Sequence, residues 1–140
     1  MPRLTTQDGT DLFYKDWGSG RPLILIHGWP LTADSWEHQA VSLARAGHRV
    51  IAYDRRGFGR SEQPWSGYDY DTFADDLSAV IETLSLTDVG LAGFSMGGGE
   101  IARYMSRHGG RGVRRAALVA SVAGYLLKAD DNPDGVDASV

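Results

Sequence analysis

Cysteine is absent from the 140 residues. That excludes disulfides, thiolate nucleophiles and cysteine metal sites, and it leaves the redox compartment undetermined. A dense basic patch is missing as well. Acidic residues outnumber basic ones by 18 to 14, and the arginines are scattered apart from Arg55-Arg56 and a short cluster over residues 111–115. The electrostatic footprint of a nucleic-acid binder is lacking, so no nucleic acid is expected as a partner. The longest apolar stretch, residues 116–127, is broken by Ser121 and Gly124 and falls short of the roughly 18 residues that a membrane span requires. The opening Met1-Pro2-Arg3-Leu4-Thr5-Thr6-Gln7-Asp8 lacks the apolar core of a secretory signal, so no membrane partner and a cytoplasmic location are expected. The histidines, at positions 27, 38, 48 and 108, show no metal-ligand spacing, and no metal is expected.

What is present is an ordinary globular mixture, 42% apolar and 23% charged, which argues against disorder. A chain of this length predicts one domain that buries about two thirds of its unfolded surface. Asp8-Gly9 marks a turn, residues 10–17 alternate as a strand, and Gly18-Ser19-Gly20 turns again; together these predict an N-terminal antiparallel hairpin. Leu23-Ile24-Leu25-Ile26 is a continuous apolar run, as a strand covered on both faces would be. Ala33, Trp36, Ala40, Val41, Leu43 and Ala44 recur at helical spacing over residues 32–46, and Gly47 stands where that helix would stop. A strand follows over residues 49–53, a Gly-, Arg- and Pro-containing loop over 54–68, and a helix carried by Phe73, Leu77, Val80, Ile81 and Leu84. Residues 89–94 predict a third buried strand, residues 96–107 a helix, and residues 113–120 contain a further strand. Short strands alternating with helices imply a parallel sheet with right-handed crossovers.

Gly93-Phe94-Ser95-Met96-Gly97 has the form Gly-x-Ser-x-Gly, which is a nucleophile elbow when it joins a strand to a helix, as it does here. Small residues on both sides admit the tight turn, and the first amides of the following helix face a developing oxyanion. The alternative is a glycine-rich strand-to-helix turn that does nothing or holds a phosphate. A phosphate loop would need a lysine after the glycines, where this chain has Glu100, whose charge would repel phosphate. An acyl-transfer oxyanion hole needs one amide after the nucleophile and one from the loop after an earlier strand. Met96 supplies the first, and His27-Gly28-Trp29-Pro30 stands where the second is required, with the Trp29 amide as donor. His27 is expected to orient this loop rather than to act as a base. Asp54-Arg55-Arg56-Gly57 is expected to be structural, its arginines pairing nearby carboxylates such as Glu62.

These segments, together with residues 11–18, residues 70–77 and Asp54-Arg55-Arg56-Gly57-Phe58-Gly59-Arg60-Ser61, resemble the α/β-hydrolase superfamily. Within it they are similar to the cofactor-free haloperoxidases and to closely related aryl esterases, over almost the whole chain. The resemblance implies an α/β-hydrolase fold and no cofactor. It also implies an acyl-serine at Ser95, formed from a small carboxylic ester or acid, with the Trp29 and Met96 amides as oxyanion hole. Water or hydrogen peroxide would release the acyl group. Serine at the elbow weighs against dehalogenase and epoxide-hydrolase relatives, which carry aspartate there.

In this fold the acid and histidine follow the serine, yet only His108 follows Ser95, and a helix between them puts it roughly 20 Å away. The expectation is therefore an amino-terminal half, truncated before the last strands. Residues 1–122 would form part of the core, and residues 123–140 the start of a cap region or a frayed tail. Loss of the base would cost such an enzyme roughly 8 kcal/mol of transition-state stabilisation. An exposed sheet edge would also favour self-association, so a silent binding or dimerising module is the rival expectation.

Overall fold

The computed structural model of the chain describes residues 1–121, 128–134, 136 and 137. Its strands are β1 (Arg3–Thr5), β2 (Asp11–Trp17), β3 (Arg21–Ile26), β4 (His48–Tyr53), β5 (Val89–Phe94) and β6 (Val113–Val119), in the sheet order β1-β2-β4-β3-β5-β6. The pairs β1–β2 and β2–β4 are antiparallel, whereas β4–β3, β3–β5 and β5–β6 are parallel. Of the two glycine turns near the N-terminus, only Asp8-Gly9 closes a hairpin. After Gly18-Ser19-Gly20 the chain skips a place, and β4 later fills the gap between β2 and β3. The uninterrupted apolar run of β3 explains the skip, because it needs cover on both faces and neighbours on both sides.

Alternation along the strands sends side chains to two cores. Ile24, Ile26, Ile51 and Tyr53 join Leu77, Val80, Ile81 and Ile101, contributed by α2 (Tyr70–Thr83) and α3 (Met96–Arg107). On the other face Leu25, Val50 and Ala52 pack with Ala33 and Ala40. Each large aliphatic side chain so buried contributes about 1.5–3 kcal/mol. Asp69 caps α2 by accepting from the Thr72 N–H at 2.8 Å.

The helix expected over residues 32–46 is divided into a 3₁₀ turn at Ala33–Trp36, capped by the Thr32 side chain, and α1 (Glu37–Arg45). Val41, expected to face inward, is instead 45% exposed. Trp36, Ala40, Leu43 and Ala44 follow i, i+4, i+7, i+8 spacing toward the sheet, which turns Val41 outward. Strand β6 pairs only with β5 among the described residues, and Leu118 and Val119 are exposed. The boundary expected at residues 122–123 lies outside the described residues. No helix among the described residues is long and apolar enough to cross a membrane.

Candidate active site

Ser95 is the single residue between β5 and α3, with φ 53° and ψ −115°. A positive φ at a residue with a Cβ stores about 1–3 kcal/mol of strain, which the surroundings must hold in place. They do so through the Ser95 N–H, which donates to Val119 O at 3.0 Å, and through Ser95 O, which accepts from Gly98 N–H at 3.0 Å. Close packing also explains the flanking glycines. A Cβ on Gly97 would lie 2.5 Å from Ile26 O, and one on Gly93 2.6 Å from Gly97 C. The helix can begin beside the strands only where those side chains are absent.

Strand β3 delivers the second loop to the same place. A Cβ on Gly28 would lie 3.1 Å from the Ser95 Cβ, so Gly28, the residue before Trp29, packs against the residue before Met96. Gly28 O accepts from Leu31 N–H at 3.0 Å, closing the turn, and the Trp29–Pro30 peptide is cis. Trp29 itself is 71% exposed at the rim. Met96 opens α3, where the backbone N–H groups lack intrahelical acceptors and carry the positive end of the helix dipole. A cavity of about 260 Å³ lies beside the elbow, lined by Leu31, Ser35, Trp36, Gln39, Phe94 and Val119.

His27 is fully buried and both ring nitrogens are engaged: Nδ1 lies 2.8 Å from Gly28 O, and Nε2 accepts from the Arg55 N–H at 3.0 Å. The proton therefore sits on Nδ1. Burial, reinforced by the Arg55 charge, pushes its pKa down to about 4, so the ring is neutral at pH 7. Its bonds tie the loop to the start of the next one, the orienting role expected of it. The remaining histidines lie elsewhere. His38 is exposed on α1, His48 opens β4, and His108 caps α3. His108 Nε2 lies 2.7 Å from Asp75 Oδ1, and the ring stacks on Tyr104. Among the described residues the hydrogen bonds of the histidine ring nitrogens run to Gly28, Arg55 and Asp75, not to Ser95.

Asp54 has the structural part assigned to it. It is fully buried and accepts from the Ala33 N–H at 2.7 Å and the Arg60 N–H at 2.8 Å, joining the loops after β3 and β4. The expected partner of the arginines needs correction. Glu62 accepts from the Asp11 N–H, while Arg56 makes a two-pronged bond to Asp76 and also reaches Asp8. Arg55 pairs with Glu100 at 2.8 Å, both side chains fully buried. Strand order brings these partners together from 45 residues apart, so no local pattern foretold the pairing. Among the described residues, no group of three or more His, Asp or Glu side chains is arranged to hold a metal ion.

A family model described as alpha/beta hydrolase fold matches residues 21–138. A non-heme chloroperoxidase of Kitasatospora aureofaciens is 53% identical over the full 140 residues, which cover 51% of that protein. A bifunctional esterase/perhydrolase of Acinetobacter calcoaceticus is 45% identical, with 51% of its length covered. The solved bromoperoxidase of Bacillus anthracis superposes with a TM-score of 0.90 at 48% identity, over 99% of this chain and 51% of that one. The chain thus spans about half the length of these relatives, whose names join haloperoxidase with esterase and perhydrolase activity. The elbow at Ser95, the loop packed on it and the sheet beneath them agree with that match, and the chain belongs to the alpha/beta hydrolase fold family.

Proposed function

We propose that Ser95 is the nucleophile of an acyl transfer from a small carboxylic ester or acid, with the Trp29 and Met96 amides as oxyanion hole. The observation that carries this reading is the strained Ser95 backbone at the β5–α3 turn, with the Gly28 loop packed on it. The Ser95 hydroxyl adds to the carbonyl carbon, and the tetrahedral oxyanion rests on the two amides. The leaving oxygen takes up the proton given by the Ser95 hydroxyl, and expulsion of the alcohol from an ester, or of water from an acid, leaves an acyl-serine. Water then releases the acid, or hydrogen peroxide releases a peracid; the relative named as an esterase/perhydrolase supports both acceptors. The hydroxyl proton needs an acceptor, which none of the described histidine contacts provides.

Reaction with a fluorophosphonate probe tests the proposal. An activated Ser95 gains the phosphonyl mass on its own peptide, and Ser95→Ala blocks the gain. The same reaction is run after mixing with the half of the Acinetobacter relative that this chain does not match. Labelling in either arm supports the nucleophile. A folded chain, and a folded complex, that both stay unlabelled overturn it. A second reading, a silent module that associates through β6, is favoured by the exposure of Leu118 and Val119 on that edge strand. It predicts a concentration-dependent dimer in sedimentation, and a monomer throughout the micromolar range refutes it.

A further inference from the structure

Arg55 and Glu100 are both fully buried. Desolvating a guanidinium and a carboxylate commonly costs as much as their attraction returns, and an apolar pair of similar shape is often equally stable or more so. Stability alone therefore does not account for them, whereas position does. Arg55 Nε donates to Glu100 Oε2 at 2.8 Å, and Nη2 donates to His27 O at 2.8 Å. Its backbone N–H holds His27 Nε2 as well. His27 immediately precedes Gly28-Trp29, and Glu100 lies in the helix that Met96 opens. A single planar side chain thus spans both segments that carry the proposed oxyanion donors. The rings of Phe58 and Phe73 lie 5.7 and 5.3 Å from the guanidinium, and the Tyr53 hydroxyl donates to the other oxygen of Glu100, so neither end is free to swing.

We propose that Arg55, held by Glu100, is a positioning residue that sets the separation of the Trp29 and Met96 amides and so their fit to a tetrahedral oxyanion. The proposal rests on the oxyanion-hole reading given above. A lysine would keep the charge but lose the fork, because an ammonium is a point donor that cannot hold a carbonyl and a carboxylate in one plane. A misplacement of about 1 Å at such a site is enough for a loss of roughly 100-fold in rate.

The full 140-residue chain is compared with Arg55→Lys and with the double variant Arg55→Met/Glu100→Gln, which removes both charges. Thermal midpoints and the ¹⁵N–¹H resonances of Trp29 and Met96 are recorded for each. The expected result is that both amides shift together in both variants, including the double variant, whose midpoint returns to within a few degrees of the parent. Unmoved amides, or movement of only one of them, overturn the proposal. Should the double variant fail to fold, Arg55→Lys carries the same comparison. Fluorophosphonate labelling is expected to slow by about 10- to 100-fold in both variants, with the half-saturating probe concentration unchanged. A rate that recovers along with stability in the double variant marks Arg55 as merely structural. If the parent stays unlabelled both alone and in the folded complex, the oxyanion-hole reading fails, and the paired amide shifts still decide whether Arg55 spaces the two segments.

Discussion

Acid should weaken the fold through His27. The ring is fully buried, and burial with the neighbouring Arg55 charge lowers its pKa from 6.5 to about 4. An unfolded chain takes up a proton at this residue as the pH falls past 6.5, whereas the folded chain stays neutral until about 4. Between those values the unfolded state binds more protons, so unfolding becomes easier as the pH drops. The contribution is complete above 6.5 and is lost on the way down to about 4. At about 1.36 kcal/mol per pH unit the loss amounts to about 3 kcal/mol. Asp76 opposes it over part of the range, because burial pushes its carboxyl up to about 6 against the pull of Arg56. The parent's own acid curve therefore mixes both groups, and the difference from His27→Gln isolates the histidine. Urea unfolding at pH 7, 6, 5 and 4, followed by tryptophan fluorescence, should show the variant gaining about 3 kcal/mol on the parent across the series. A difference that stays constant to within about 1 kcal/mol would refute a neutral, buried His27.

Asp54→Ala leaves the Ala33 and Arg60 N–H groups without their carboxylate and should cost about 3 kcal/mol, read as a lowered urea midpoint at constant slope. Gly97→Ala drives a methyl against Ile26 O and should destabilise by about 1–3 kcal/mol; an unchanged thermal midpoint would show that the helix start is not tightly packed. Ser95→Gly should raise the midpoint, since glycine accepts the φ of 53° freely. The relief of about 1–3 kcal/mol exceeds the entropic cost of glycine of about 0.5–1 kcal/mol, so a lowered midpoint would argue against stored strain.

Local chemistry was enough to locate most of the elements and the strand-to-helix turn at Ser95. Gly93 and Gly97 around Ser95, at the junction of a buried run and an amphipathic run, mark the elbow because the turn tolerates no side chains there. The same kind of signal placed α3 at Met96–Arg107 and the loop at His27-Gly28-Trp29-Pro30 beside the site. Periodicity and turn residues act over a few positions, so they are legible without a third dimension. Where two segments far apart in the chain must meet, they are not. Which glycine turn closes the hairpin depended on β4, which arrives between β2 and β3 only after α1 has crossed the sheet. Glu100, which in the sequence reads only as a charge that would repel phosphate, is the buried partner of Arg55. Glu62, expected to pair with the arginines, bonds to the Asp11 backbone instead. Each of these outcomes is set by strand order, which decides whose side chain shares a dry interior. In that interior the demand that every buried charge find a partner selects the contacts.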